Sequence, residues 1–193
     1  YGGNPGRVAQ HMPEIAGALY FGHTGNQGEA VGWAEAIGLK TAYLGAYQGH
    51  GNVAHPHGIL ITWATMTQGG VQVNRAGHRF WNESQGYSEA AQAVLAQSGG
   101  EAFAIFDDRI AGIAAQFEDF RNAEAQGAVK RGATVADLAG ALGLPAGALS
   151  DTLAEADAAR AAGTPDRFGR VFGDVPPLTP PYCGVRVTGA LFH

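Results

Sequence analysis

The chain reads as an α+β protein. Helical and strand-like stretches are interspersed along it and a β-hairpin signature sits before its midpoint, which favours α+β over a doubly wound parallel sheet; there is no internal repeat. Its 193 residues are enough for one good core, or for one domain and part of another. The first helix falls at "GEAVGWAEAIG" (28–38), where Val31, Ala34 and Ile37 share a face and Gly38 supplies the stop. "TAYLGAY" (41–47) is strand-like by composition, and "HGNVAHPHG" (50–58) reads as a loop. "GILITWATM" (58–66) is a short apolar run that serves a buried helix or a strand equally well. In "GGVQVNRAGHRFWNE" (69–83), Val71 and Val73 alternate, "NRAG" turns and "HRF" returns, which predicts the hairpin with Arg79 and Asn82 stabilising it.

"YSEAAQAVLAQSGG" (87–100) follows as a helix closed by glycines, and "EAFAIFDD" (101–108) as a buried strand. Thr134 can cap a helix whose Val135, Leu138, Ala139 and Leu142 face one way, with Gly143 as its stop. Pro145 opens the next helix, "LPAGALSDTLAEADAARAAG" (144–163). The Pro/Gly-rich 164–182 is an ordered loop, and "CGVRVTGALF" (183–192) returns as a strand.

Composition excludes several classes of function. Net charge is −5 with no Lys/Arg cluster, so neither nucleic acid nor an anionic membrane is an expected partner. No apolar run reaches the roughly 18 residues of a membrane span. A single cysteine, Cys183, permits no intrachain disulfide and fits a reducing, cytoplasmic compartment. The 30 glycines suit tight turns and close backbone approach to a ligand. The chain opens at Tyr1 and stops at the apolar "GALFH", so both ends read as cuts through something larger. Exposed apolar surface on 1–47 and 184–193 is then expected to drive self-association.

Candidates for chemistry are few. There is no P-loop, no G-x-S-x-G and no G-x-G-x-x-G after a strand. His50, His55 and His57 are either zinc ligands or loop histidines facing substrate or solvent. No carboxylate or thiolate partner stands at ligand spacing, which favours the second reading and no metal. Tyr87, just outside the Asn82–Gly86 turn, is either a packed aromatic at a helix start or a catalytic phenol. A phenol of pKa about 10 is a poor base unless its surroundings stabilise the phenolate.

The order of motifs resembles the fumarate reductase/succinate dehydrogenase flavoprotein family. "GNQGEAVGWAEAIG" is similar to N-T-G-D-G-x-x-M-A-x-x-x-G, and "YQGH" to the start of Q-x-H-P-T. "GILITWATM" is similar to an L-x-T-E run, "GGVQVNRAGHRFWNE" to G-G-x-L-x-N-x-x-G-x-R-F-x-N-E, and "PPYCGVRVTGALFH" to the segment leading to H-x-T-x-G-G. "AIFDD", "TVADLAGALGLPAGAL" and "DRFGR" resemble pieces of the family's cap region. The resemblance covers nearly the whole chain.

It implies a cap (catalytic) domain at 50–182, with short flanks of an FAD-binding domain at 1–49 and 183–193. It also implies FAD as cofactor, a small-molecule substrate, and the missing part of the FAD-binding domain as partner. The activity implied is hydride transfer between flavin and a carbon–carbon bond next to a carbonyl. Tyr87 stands where the carboxylate reductases carry a proton-transferring arginine, and "NESQGY" is similar to the N-E-x-x-P-Y of the 3-ketosteroid dehydrogenase branch, with Gly86 for proline. His50, Thr62, Trp63 and His193 fall at substrate-binding positions, with Phe192 the alternative register for His193. Trp63 replaces the family's Glu, and Gly51–Asn52 replace Pro–Thr. Gly28 and Glu29 fall at cofactor-binding positions, where Glu29 equally suits the first turn of a helix. With a charge lost at both Tyr87 and Trp63, a neutral apolar ketone is the expected substrate. A carboxylate reductase with an altered proton donor and a non-catalytic binding domain are the alternatives.

Overall fold

A computed structural model describes residues 1–193. Its centre is a seven-stranded sheet built around one long strand near the end of the chain. In chain order the elements are α1 (Pro5–His11), β1 (Leu19–Tyr20), α2 (Glu29–Ala36), β2 (Gly49–Ala54), β3 (Ile59–Leu60), α3 (Ala64–Thr67) and β4 (Val71–Val73). Then follow α4 (Tyr87–Leu95), β5 (Glu101–Asp107), α5 (Asp108–Ala114), α6 (Glu118–Ala125), β6 (Val129–Gly132), α7 (Val135–Leu142), α8 (Ala146–Ala162) and β7 (Tyr182–Leu191). The mixture of helix and sheet agrees with the α+β expectation. Every strand pair is antiparallel except the short β1–β7 ladder.

β7 uses both of its edges along its whole length. β5 pairs with 182–188 and β1 with 190–191 on one side, while β6 (182–185) and β2 (187–191) share the other. A central strand covered this way reads as a continuous apolar run. Cys183, Val185, Val187 and Ala190 of β7 are wholly buried, as are Ala102, Ala104, Ile105 and Phe106 of β5. All of these except Ala190, with Leu138 and Leu149 from α7 and α8, belong to a 28-residue core. α7 begins with a reciprocal cap: Thr134 Oγ1 accepts from the Asp137 N–H and the Asp137 carboxylate accepts from the Thr134 N–H.

The fold departs from the sequence reading in five places. Residues 41–47 form no strand; Tyr43 has φ 57°, a left-handed backbone that no ladder accepts. The stretch 50–58 is not all loop, because its first half is β2 and all six residues of that strand are buried. Gly51 is required there: a Cβ on it would overlap the Ala90 backbone of α4, which lies across β2. The apolar run 58–66 divides into β3 and α3. The hairpin shrinks to a turn with a single bridge, Val73 to Arg79, and β4 pairs with β5 instead. Of the flanks expected to expose apolar surface, 184–191 lies in the sheet, whereas Trp33, Ile37 and Tyr43 are exposed.

Arg79 and Asn82 therefore do other work than stabilising a hairpin. Asn82 caps a 3-10 turn, Glu83–Gln85, by accepting from the Ser84 N–H at 3.0 Å. Arg79 enters a buried charge cluster. Its Nε and Nη2 donate to the two oxygens of Glu83 at 2.9 and 2.6 Å, and it also pairs with Asp166. Arg170 adds its Nη1 to Glu83 at 3.0 Å and donates to the carbonyls of Gly70 and Met66. Two guanidinium groups thus meet two carboxylates, all but closed to solvent. The guanidinium groups of Arg170 and Arg160 lie 4.2 and 4.5 Å from the Phe172 ring. Burial alone would raise the Asp166 carboxyl; hydrogen bonds from Arg79 and from the Arg170 and Phe168 backbone outweigh it and hold that acid low.

Candidate active site

β2, the segment leading into α3, and the start of α4 converge on a cleft of about 270 Å³. Its walls are Gln48, His50, Leu60, Thr62, Trp63 and Tyr87, completed by Phe117, Asp119 and Phe192. Glycine sets the approach to Tyr87. Gly86 takes φ 120°, a backbone that favours glycine, and turns the chain so that Tyr87 starts α4 with its side chain 40% exposed.

Tyr87 stacks on His50, with ring centres 5.0 Å apart and planes 16° from parallel. Trp63 meets His50 edge-on at 5.9 Å, and Phe192 lies 6.0 Å away at 44°. Gln48 Nε2 donates to the Tyr87 hydroxyl at 3.4 Å, a long bond that holds the phenol at the cleft wall.

His50 is 7% exposed, and burial among these rings pushes its pKa down to about 4. The Asn52 N–H donates to His50 Nδ1 at 3.2 Å, which assigns the ring proton to Nε2. His50 is thus a neutral donor. The strand carrying it is fixed from behind. Asn52 Nδ2 donates to the Ile61 carbonyl and to Thr65 Oγ1, Gln72 Nε2 donates to the Gly51 carbonyl, and Trp81 Nε1 donates to Gln72 Oε1. The Gln72 N–H in turn donates to Glu83, so the charge cluster and the cleft share one network.

A neutral buried histidine has a pH signature. Its folded pKa of about 4 lies below the usual 6.5, so the unfolded chain takes up the proton first. Stability therefore falls as pH drops from about 6.5 to about 4 and levels off below. The full loss is roughly 3 kcal/mol by linkage. Urea unfolding across pH 4 to 7 should show that slope for the wild type and a shallower one for His50→Phe; equal slopes would remove His50 as its source.

The seven residues singled out by motif do not all meet. His50, Thr62, Trp63 and Tyr87 line the cleft. His193 does not; Phe192 takes that place because the backbones of 48 and 192–193 pair, Phe192 N–H to Gln48 O at 2.8 Å and Gln48 N–H to His193 O at 2.7 Å. Gly28 and Glu29 sit at the start of α2, outside the cleft. Gly28 has φ 80°, and a Cβ there would overlap Tyr1. The Glu29 carboxylate makes no hydrogen bond or ion pair and is exposed. Gln48, Phe117 and Asp119 join the cleft without a sequence signal of their own role: Gln48 lies within "YQGH", and nothing local marks 117 and 119.

A family model described as an FAD binding domain matches residues 1–192. The chain belongs to that flavoprotein family. FAD is the family's cofactor, and the relatives are oxidoreductases. The chain is 28% identical over all 193 residues to a probable fumarate reductase, Ifc3, of Shewanella frigidimarina (strain NCIMB 400), and covers 32% of it. It therefore spans about a third of the length of that relative. The open form of a flavocytochrome c3 fumarate reductase matches with TM-score 0.79 and 28% identity, over 100% of this chain and 34% of that one. A 3-ketosteroid Δ4-(5α)-dehydrogenase from Rhodococcus jostii RHA1 shares the fold at TM-score 0.69 and 22% identity, over 100% of this chain and 38% of that one.

At about 270 Å³ the cleft falls near the lower end of ligand pockets, large enough for one compact ring system against aromatic walls and too small for FAD, a whole dinucleotide. No glycine-rich fingerprint for the pyrophosphate occurs in the chain.

Proposed function

We propose that this flavoprotein catalyses oxidation or reduction of a carbon–carbon bond beside the carbonyl of a neutral, apolar ketone, with residues 50–182 forming the cap over the substrate. The observation that carries this reading is the lining of the cleft. Four aromatic side chains and a neutral imidazole form it, no Lys or Arg does, and its one charged residue is the acid Asp119. A dicarboxylate bound there would face no cation and one carboxylate. FAD, when bound, supplies the acceptor or donor of the hydride. Gly28 and Glu29, at the start of α2, serve it in this reading, with the exposed Glu29 carboxylate accepting from a ribose hydroxyl.

The remaining roles fall to side chains of the cleft. His50 Nε2–H donates to the substrate carbonyl oxygen, and the Thr62 hydroxyl is a second donor on the same wall. Tyr87 Oη takes the proton from, or returns it to, the carbon next to that carbonyl. Gln48 orients the phenol. Trp63, Phe117 and Phe192 exclude water and grip the flat apolar body of the ketone.

A second reading, reduction of an unsaturated dicarboxylate, draws on the named activity of the Shewanella relative. Flavin reduction or reoxidation against cyclic ketones, cyclic enones and dicarboxylates separates the two. Turnover of the neutral ketones supports the first reading. Turnover of dicarboxylates alone would overturn it.

A further inference from the structure

A second cavity, of about 420 Å³, lies between the β2–β3 loop, the turn from α6 into β6, α7 and β7. It shares no lining residue with the aromatic cleft. Its chemistry is the reverse of the cleft's. His55, His57, Lys130 and Arg186 line it, and no carboxylate does. The chain is acidic overall, with 12 Lys and Arg against 17 Asp and Glu, so such a wall is not an average sample of its surface.

The charges there are incompletely compensated. Lys130 has no ion pair; its Nζ donates once, to the Gly127 carbonyl at 2.8 Å, and two N–H groups remain. Arg186 pairs with the buried Glu101, but so does Arg75, so two guanidinium groups meet one carboxylate. The His55 N–H donates to the Arg186 carbonyl at 2.8 Å, which ties the histidine loop to the strand bearing that arginine. Phe103 and Leu142 give the cavity an apolar side. Its volume falls within the range of sites for small organic molecules, about 300–1,000 Å³.

We propose that this cavity is a binding site for a small organic oxyanion, a molecule carrying a phosphate or carboxylate group on a compact apolar body. Lys130 and Arg186 hold the anionic group, the imidazoles add N–H donors, and Phe103 packs against the body. The site is separate from the redox cleft and does not depend on the ketone assignment.

Backbone-amide NMR of the 15N-labelled protein at low salt tests it, with inorganic pyrophosphate and succinate titrated separately. The expected result is saturable shifts centred on His55, His57, Gly127–Lys130 and Arg186 with at least one anion. The stronger of the two identifies phosphate or carboxylate as the recognised group. Lys130 is exposed, so Lys130→Glu should leave the rest of the spectrum in place while weakening binding roughly 10- to 100-fold, as loss of one charged hydrogen bond predicts. Absence of shifts at these amides with both anions overturns the proposal. So do shifts centred on the cleft residues, or equal binding by Lys130→Glu.

Discussion

Replacing Tyr87 with phenylalanine is expected to slow flavin reduction by a ketone substrate about 10²- to 10⁴-fold, the usual worth of a positioned acid–base group. The substitution removes only the hydroxyl. The ring stays stacked on His50, so substrate affinity should move little. Stopped-flow absorbance of the FAD-loaded protein, with substrate varied, gives rate and affinity together. A loss confined to the rate marks proton transfer at Tyr87. A change confined to affinity would mean that the phenol only shapes the cleft, and an unchanged rate would return Tyr87 to a packing role and leave His50 as the donor to test next. Gln48→Ala supplies a graded companion: it removes the 3.4 Å bond to the phenol, and a fall in rate smaller than that of Tyr87→Phe is the expected result.

The largest loss of stability is expected at Glu83. Glu83→Ala withdraws the carboxylate that Arg79 and Arg170 share and leaves Arg170 without its only ion-pair partner in a dry interior. Breaking a buried pair from one side costs about 3–5 kcal/mol, a large part of the roughly 5–15 kcal/mol that holds a domain together. Urea unfolding measures it. Arg167→Ala, which breaks the exposed pair with Glu155, serves as the control and should cost at most about 1 kcal/mol. A Glu83→Ala loss no larger than the control would show that water or the neighbouring carbonyls take over the cluster. Because Glu83 accepts from the Gln72 N–H and Gln72 braces β2, the variant should also loosen the cleft.

What was legible in the sequence, and what was not, follows from where each segment finds its partners. α7 announced itself because its cap, its apolar face and its glycine stop are all local. β5 and β7 showed as apolar runs because both of their faces are covered. β2 did not, since its Gly, His and Asn read as loop; it is a strand because β7 pairs with it and α4 needs the space that Gly51 leaves. β6, "VKRG", carries two exposed residues of four and is ordered by its ladder to β7 rather than by its own composition. Residues 41–47 had the aromatic content of a strand and nothing to pair with. In the cleft, Tyr87, His50, Thr62 and Trp63 stood in motifs of recognisable order. Phe117 and Asp119 come from a helix and its approach, brought to the cleft only by the tertiary fold, and their short sequence context carries no signal.

The position of β7 in the chain has a kinetic consequence. Val187 lies opposite both Ala54 and Ala102, and every strand that pairs with β7 precedes it. During synthesis β2, β5 and β6 leave the ribosome without the strand that joins them. Local helices such as α7 and α8 can form meanwhile, but the sheet cannot close until residues 182–191 emerge. Contacts this distant in sequence slow folding, and the open strand edges that wait for them are the places where a nascent chain is most exposed to mispairing and to chaperones.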